Sequence, residues 1–368
     1  MKIQYLSVLM SAIAMVSSAR ATEVYNKEGN KLDLYGKFNC IRYMSFYANK
    51  NGDRSFVRYG FRAETKLSAN IISFGTLEQE VGLRHTESIV ANNHFSRLGF
   101  AGIKFTNVGS IDYGRNYGVL YDVGAWTDIV LVFSGDTTVT DNVITGRANS
   151  LLTYRNTNCF GRLDGFNFAL QYQGKNDSKV EHKTDLDLQK ENGVGYGISV
   201  TYDFGKGVSA GAAVTSSNRT MYQRLQKITR NTGKKAQACF FGMKYNADKI
   251  YLAALYGKTR NMTSYGKFAG EKYGVAKNAH NIALIAQYKL YFGLRPSLGY
   301  LQLRVDSDYS SKRQDIKKHI DVGARYNFSK HMLTFIDYRI NLLSNNDFIS
   351  AAQISTKNII ALGLTYMF

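Results

Sequence analysis

The amino-acid sequence predicts an all-β fold: a sixteen-stranded antiparallel transmembrane β-barrel with short turns at one end and long loops at the other. Two patterns predict it, namely alternating apolar and polar residues and a regular alternation of short and long connections. The composition agrees, since the 368 residues include 26 Tyr, 21 Phe, 33 Gly and one Pro. Aromatic residues favour strands and Gly favours tight turns. With 44% hydrophobic and 20% charged residues, the chain is neither a disordered protein nor a helical membrane bundle.

The alternation defines the strands. Between Ile282 and Leu290, and again between Ile360 and Phe368, every second residue is apolar. Such a period of two is typical of a strand with one apolar face. The predicted strands have about the 9–11 residues that a tilted strand needs to cross a membrane. They are 31–45, 55–67, 71–83, 95–105, 109–119, 150–158, 163–173, 193–204, 207–216, 237–245, 250–260, 281–290, 293–304, 318–327, 331–340 and 358–368.

The connections and the two strand faces indicate a membrane barrel. Short connections alternate with long polar ones, of which 120–149 is the longest. An up-and-down barrel that crosses a membrane sorts its connections in this way, with all short turns on one side. In the first strand Leu34 and Phe38 share one face, while Asp33 and Lys37 share the other. Because sixteen strands enclose a lumen too wide for side chains to fill, the charged face is expected to line water.

The first 21 residues have the pattern of a secretory signal peptide. Lys2 precedes an apolar stretch from Leu6 to Val16, and Ala19-Arg20-Ala21 forms a cleavage site of the small-x-small type. The apolar stretch is too short for a transmembrane helix. The sequence therefore predicts a signal peptide at 1–21 and a barrel domain at 22–368.

Cysteine and histidine give no sign of a metal site. Cys40, Cys159 and Cys239 are far apart and odd in number, which fits either three incidental thiols or one disulfide plus a free thiol. The six histidines form no HExxH motif and no tight pair. We expect no metal and no cofactor.

Two other functional classes are disfavoured. Gly207-Val-Ser-Ala-Gly211 has the spacing of a catalytic nucleophile elbow, but apolar residues alternate straight through it, so it is predicted to be strand rather than a strand-turn-helix. The formal charge of +19 suggests nucleic acid, yet the basic residues are spread over loops and strands. Together with the predicted export, this pattern favours neither an enzyme nor a nucleic-acid-binding protein. Basic outer loops could instead contact lipopolysaccharide phosphates.

Several segments resemble one protein family. Residues 24–37 (VYNKEGNKLDLYGK) closely resemble the mature N-terminus of OmpF/OmpC-type general diffusion porins of the Gram-negative outer membrane. Residues 97–104 (RLGFAGIK), 108–118 (VGSIDYGRNYG) and 245–254 (YNADKIYLAA) are similar to further family segments. The resemblance implies periplasmic short turns, external long loops, a homotrimer in outer-membrane lipid, and passive diffusion of small hydrophilic solutes. It also implies that the outer-membrane assembly machinery reads the C-terminal strand with Tyr366 and Phe368.

The same resemblance implies a pore constriction. The family folds its third long loop, here 120–149, into the lumen, where loop acids face a ladder of basic wall residues. The matching basic positions are Lys37, Arg58, Arg97 and Arg147, and the matching acids are Glu78, Asp128 and Asp136. Strand parity independently places Lys37 and Arg58 on the charged face. The face of Arg97 is less clear. Strict alternation puts Arg97 on the face opposite to Leu98 and Phe100, but the apolar residues Phe95 and Ile103 would then share its face.

One loop position departs from the family pattern. The family motif Pro-Glu-Phe-Gly-Gly-Asp reads Leu131-Val-Phe-Ser-Gly-Asp136 here, so Val132 stands in place of an acid. Acidic rings favour cations and basic rings favour anions. The loss predicts a shift toward anions, unless another loop acid compensates. A substrate-specific channel and a non-channel barrel, acting as an adhesin or anchor, are the alternative functions.

Overall fold

The computed structural model describes residues 22–46, 50–84, 93–130, 132–133, 142–177, 191–225, 233–267, 273–306 and 313–368. The predicted signal peptide lies outside these ranges. Sixteen long strands, numbered in chain order, form the barrel. They are β1 Asn30–Met44, β2 Phe56–Ser68, β3 Ile71–Gly82, β4 His94–Phe105, β5 Gly109–Tyr117, β6 Arg147–Asn156, β7 Phe166–Gln173, β8 Gly195–Gly205, β9 Val208–Asn218, β10 Lys235–Ala247, β11 Ile250–Arg260, β12 Asn278–Tyr288, β13 Leu294–Val305, β14 Gln314–Asn327, β15 Met332–Asn341 and β16 Ile359–Met367.

Every barrel strand pairs antiparallel with its neighbours in the chain, and the last strand pairs with the first. In the closing pair Lys37 lies opposite Met367. Gly36 and Phe368 exchange two backbone hydrogen bonds of 3.0 and 3.1 Å next to that pair. Closure satisfies the backbone groups that an open edge would expose to lipid. The predicted closed sixteen-stranded barrel is confirmed.

The connections contain short additional elements. Strand Thr22–Lys27 pairs with the start of β1, Gly52–Asp53 lies beside its end, and Ser264–Lys267 pairs with Tyr273–Val275. Short helical segments occur at Tyr121–Gly124 (α1), Asn158–Gly161 (α2), Met221–Leu225 (α3) and Asp347–Ala351 (α4). None of the helices in the described ranges is long and apolar enough to cross a membrane.

The two faces of the wall differ as the alternation predicts. Leu34, Phe38 and Phe61 are 40, 47 and 41% exposed on the outer surface. On the opposite parity, Asn39 is only 3% exposed. Large apolar side chains at this exposure are suited to lipid, while the polar inner face is suited to a water-filled lumen. Ser209 of the rejected elbow motif lies within β9, also as predicted.

The loop between β5 and β6 packs against the inside of the barrel. Its residues Leu120, Val123 and Trp126 join a buried apolar cluster with the side chains of β9 to β12. Wall glycines provide the room, because a Cβ atom at Gly211 would lie 2.8 Å from Trp126 and one at Gly242 would lie 2.7 Å from Val123. The predicted inward fold of the third long loop is thus confirmed, and we call residues 118–146 loop 3.

Two details differ from the sequence prediction. Strand β6 begins at Arg147 rather than at 150, so Arg147 belongs to the barrel wall. The cysteines Cys40, Cys159 and Cys239 are free thiols, so the alternative with one disulfide is wrong.

Candidate functional site

Three charged side chains form a row across the first three strands, on the inner face. Lys37 of β1 lies directly opposite Arg58 of β2, and Arg58 lies opposite Glu80 of β3. Directly opposed residues project from the same face of a sheet. Arg58 donates to Glu80 Oε2 from Nη2 at 2.6 Å and from Nε at 2.9 Å. Lys37 Nζ has no such carboxylate contact among the described residues and lies 5.4 Å from the ring centroid of Phe56.

Arg97 and Glu78 extend this row into a charge network. Arg97 Nε donates to Glu78 Oε1 at 2.6 Å, and its Nη1 reaches Glu80 Oε2 at 3.3 Å. Arg58 Nε lies 3.9 Å from Glu78 Oε1. Both arginines therefore contact both glutamates. Such a network holds the guanidinium groups against the wall and partly neutralises them.

A β-bulge explains the unclear parity of Arg97. The register between β3 and β4 shifts here, because Glu78 pairs with Leu98 while Gln79 pairs with Ser96. The extra residue turns Arg97 to the inner face together with Leu98. The prediction that Arg97 and Leu98 lie on opposite faces is wrong, and the bulge is the reason. Both side chains are buried, at 7 and 4% exposure.

Tyr35 supports Glu78 from the neighbouring row. Tyr35 lies opposite Gly60, and Gly60 lies opposite Glu78. Because Gly60 has no side chain, the Tyr35 ring crosses over it, and its hydroxyl donates to Glu78 Oε2 at 3.2 Å. A Cβ atom at residue 60 would lie 2.8 Å from Tyr35 Cζ. The glycine thus makes this hydrogen bond possible.

The first part of loop 3 carries an acid beside two stacked tyrosines. Tyr117 and Tyr121 stack with ring centroids 4.5 Å apart and an interplanar angle of 10°. The Tyr121 hydroxyl donates to Asp128 Oδ2 at 2.7 Å. Burial, and then the carboxylate of Asp128, raise the pKa of Tyr121 well above its ordinary value, while Arg147 acts in the opposite direction. Tyr121 therefore remains a neutral donor to Asp128.

The far part of loop 3 attaches to strand β15. Arg339 Nη2 donates to the Phe133 carbonyl oxygen at 2.6 Å, and its guanidinium lies 4.5 Å from the Phe133 ring centroid. The Val132 amide donates to the Asp337 carboxylate. The Val132 side chain packs at the edge of an apolar cluster that includes Phe133 and Phe335. Loop 3 thus contacts the barrel wall at β9 to β12 and again at β15, and it narrows the lumen.

The structure brings most of the predicted site residues to the inner wall and loop 3. Lys37, Arg58, Arg97 and Glu78 form one group; Arg147 and Asp128 both act on Tyr121. Asp136 lies outside the residues that the structure describes. Sequence reasoning missed Tyr35, Glu80, Asp337 and Arg339. Glu80 could have been found, because it is two residues from Glu78 on the same strand face.

A closed barrel with an apolar outer belt, a charged network on its polar inner wall and an inward-folded loop defines a class of protein: an outer-membrane channel of the porin type. The comparisons with known proteins specify it further. A family profile described as Gram-negative porin matches residues 27–368, so the chain belongs to that family. It is an integral outer-membrane β-barrel.

Three relatives illustrate how far the similarity extends. The chain is 47% identical to outer membrane protein F of Serratia marcescens and 46% identical to outer membrane porin N of Escherichia coli, with 100% of both chains covered in each comparison. A solved structure of Salmonella typhi OmpF in complex with daunomycin superimposes with a TM-score of 0.86 at 39% identity. That match covers 94% of this chain and 100% of the other.

Proposed function

We propose that this porin passes small hydrophilic solutes and ions by passive diffusion, with a preference for anions. The observation that carries the preference is the charge balance at the constriction. Of the predicted constriction residues and the wall row, the structure describes the bases Lys37, Arg58, Arg97 and Arg147 and the acids Glu78, Glu80 and Asp128. Val132 adds an apolar side chain where the sequence motif of the family has an acid.

The size of the effect follows from electrostatics in a narrow pore. Two unit charges ~4 Å apart interact by about 4 kcal/mol at an effective dielectric constant of 20. The Debye length is ~8 Å at physiological salt, so wall charges act on ions that pass nearby. Glu80 adds an acid to the wall row, and its contact with Arg58 reduces the basic excess. We therefore expect a modest preference for anions.

The zero-current potential across a planar bilayer tests this preference. With a tenfold KCl gradient, the sign of the potential should be that of an anion-selective pore, and its magnitude should fall as both salt concentrations rise. A strong cation preference would contradict the proposal. The Asp136→Asn variant measures how much the carboxylate of Asp136 opposes this preference.

Liposome swelling separates the proposed diffusion from the other functions. Sugars of increasing size should enter at rates that fall smoothly with size. Saturable entry of one sugar class would indicate a substrate-specific channel. Absence of both swelling and conductance would indicate a non-channel adhesin or anchor.

We further propose a homotrimer whose assembly depends on the last strand. Tyr366 is 48% exposed on the outer face, and Phe368 packs near Phe38 with ring centroids 6.0 Å apart. Both side chains are accessible to an assembly machinery that recognises terminal aromatic residues. Removing the Phe368 side chain with Phe368→Ala should reduce the yield of chemically cross-linked trimer in the outer membrane. An unchanged yield would contradict this role.

Lipopolysaccharide is the lipid partner that we propose for the outer surface. Lys258, His280 and Arg304 lie side by side on β11, β12 and β13, toward the strand ends that carry long loops. Their alternation with the inward residues places them on the outer face, where lipid phosphates can approach. In vesicles with phosphate-free lipid A, trimer stability should fall relative to ordinary lipid A. Equal stability in the two lipids would contradict the contact.

We also propose that residues 1–21 are removed during export. N-terminal sequencing of the membrane-inserted protein should begin at Thr22. A start at Met1 would contradict this proposal.

A further inference from the structure

Two arginines face each other on the inner wall, away from the constriction. Arg295 of β13 lies directly opposite Arg325 of β14. Arg325 shares its strand face with Asp321, which contacts the lumen residue Arg339. Arg295 is the second residue of its strand and Arg325 the third from the end of its own. The pair therefore lines the lumen near the end of the barrel that carries the short turns.

The pair has no neutralising partner in the described part of the chain. Like charges that are directly opposed across two strands destabilise a sheet. Two other inner-wall arginines contact carboxylates: Arg58 contacts Glu80, and Arg155 contacts Asp122. Neither Arg295 nor Arg325 forms a salt bridge or a side-chain hydrogen bond of this kind, and Arg325 Nε is buried without a hydrogen-bond partner.

The surroundings keep these two charges unpaired. On the far side of Arg325 lies Phe335, an apolar side chain that is 4% exposed. In the next row, Asp337 fills the space above Gly323, and its carboxylate accepts the Val132 amide. The wall thus presents two adjacent guanidinium groups, both partly accessible to the lumen. Their N–H groups can donate hydrogen bonds to a ligand.

We propose that Arg295 and Arg325 form a binding subsite for the phosphate group of anionic solutes inside the channel. Guanidinium groups bind phosphate oxygens with paired hydrogen bonds, and a doubly charged anion between them replaces repulsion by attraction. The subsite rests on the proposed channel function and adds a ligand class to it. Chloride offers no oxygen atoms for paired hydrogen bonds, so the subsite distinguishes phosphate-bearing solutes from simple anions.

Current block by inorganic pyrophosphate tests this subsite. In planar bilayers with KCl, pyrophosphate should interrupt the current of the unmodified channel in a concentration-dependent way. Arg325→Gln and Arg295→Gln should each raise the half-blocking concentration about tenfold. Arg325→Lys keeps the charge but loses the paired geometry, and should raise it about threefold. Lys249→Gln, which removes one charge from the exposed turn between β10 and β11, should leave it unchanged.

The outcomes separate this inference from the proposed function. A channel that conducts KCl but shows no pyrophosphate block, or equal block in the unmodified and Arg325→Gln channels, would overturn the subsite and leave the diffusion function standing. Equal loss of block in Lys249→Gln would also overturn it, because net charge alone would then explain the result. A barrel without KCl conductance would overturn the channel function itself. If Arg325→Gln does not assemble, the Arg325→Lys and Arg295→Gln channels decide.

Discussion

The Tyr35 hydroxyl reaches Glu78 across Gly60 and donates a hydrogen bond of 3.2 Å to its Oε2 atom. Glu78 also accepts the 2.6 Å hydrogen bond from Arg97 Nε. One glutamate thus receives a neutral donor from one side and a charged donor from the other. Gly60, which has no side chain, thus allows Tyr35 to help position Glu78 in the inner-wall network.

Gly60→Ala should therefore destabilise the barrel. The added Cβ atom would lie 2.8 Å from Tyr35 Cζ and would also meet the Leu77 carbonyl oxygen, which belongs to the backbone and cannot rotate away. We expect the free energy of unfolding to fall by about 1–3 kcal/mol, measured by denaturant titration in lipid vesicles. Gly75→Ala is the matched control, because its Cβ atom would meet nothing closer than 3.9 Å. Equal losses in the two variants would refute the steric explanation.

Glu80→Gln should make the channel more selective for anions. The substitution removes the 2.6 Å partner of Arg58 and leaves that guanidinium less neutralised. We expect the zero-current potential in a KCl gradient to move toward the chloride limit, with a larger shift at low salt because screening is weaker there. Glu28→Gln changes the net charge equally in an exposed turn and should have no effect. A shift toward potassium in Glu80→Gln would contradict the role of the wall row.

Val132→Glu should have two effects that Val132→Gln separates. A carboxylate at this position adds a loop acid and should shift the zero-current potential toward cations. It also lies beside Asp337, which accepts the Val132 amide, so like charges would weaken the attachment of loop 3. Val132→Gln has a similar size and no charge. If both variants shift the potential equally, the shift comes from altered loop packing and not from charge.

Arg339→Gln should loosen the far end of loop 3. It removes the charged donor to the Phe133 carbonyl and the partner of Asp321, at a cost of about 1–3 kcal/mol. Single-channel recordings should show larger current fluctuations than those of the unmodified channel. Arg313→Gln breaks an exposed pair with Asp306 and should leave the recordings unchanged. Current fluctuations in Arg339→Gln no larger than those of the unmodified channel would show that Arg339 is not needed to hold loop 3 in place.

Gly242→Ala should narrow the channel. Its Cβ atom would lie 2.7 Å from Val123 Cγ1 and would push loop 3 toward the centre of the lumen. We expect lower single-channel conductance together with a change in fluorescence of Trp126, the one tryptophan of the chain. Gly299→Ala is the control on the inner wall, since its nearest contact would be 3.7 Å away. Unchanged conductance in Gly242→Ala would show that the loop does not rest on this glycine.

Strand number and strand faces followed from the sequence because each depends on local patterns, whereas the inward third loop was implied by the family resemblance. A period of two along one strand assigns Lys37 and Arg58 to the inner face without knowledge of any partner. The contact of Arg97 with Glu78 could not be assigned in this way, because the β-bulge at Arg97 is a property of two paired strands. One inserted residue reverses every parity beyond it.

The anchors of loop 3 were missed for a related reason. Arg339 and Phe133 are far apart in the chain, and nothing in the local sequence of either one points to the other. Tyr35 was missed because its hydrogen bond to Glu78 crosses Gly60 on the intervening strand, and this alignment depends on the register of three strands. These contacts depend on the register between strands and on the space left by glycines. A pattern of residue types along one strand does not give this information.

Because glycines lie beneath loop 3, the width of the channel and its charge depend on different residues. Gly211 and Gly242 control how closely Trp126 and Val123 approach the wall, while the charged row lies on the first strands of the barrel. A substitution at a wall glycine can therefore alter the size limit for solutes while leaving the ion preference intact. Exchange of a glutamate in the row can do the reverse. Variants of this barrel can therefore change the size limit for solutes or the ion selectivity independently, while the barrel fold stays the same.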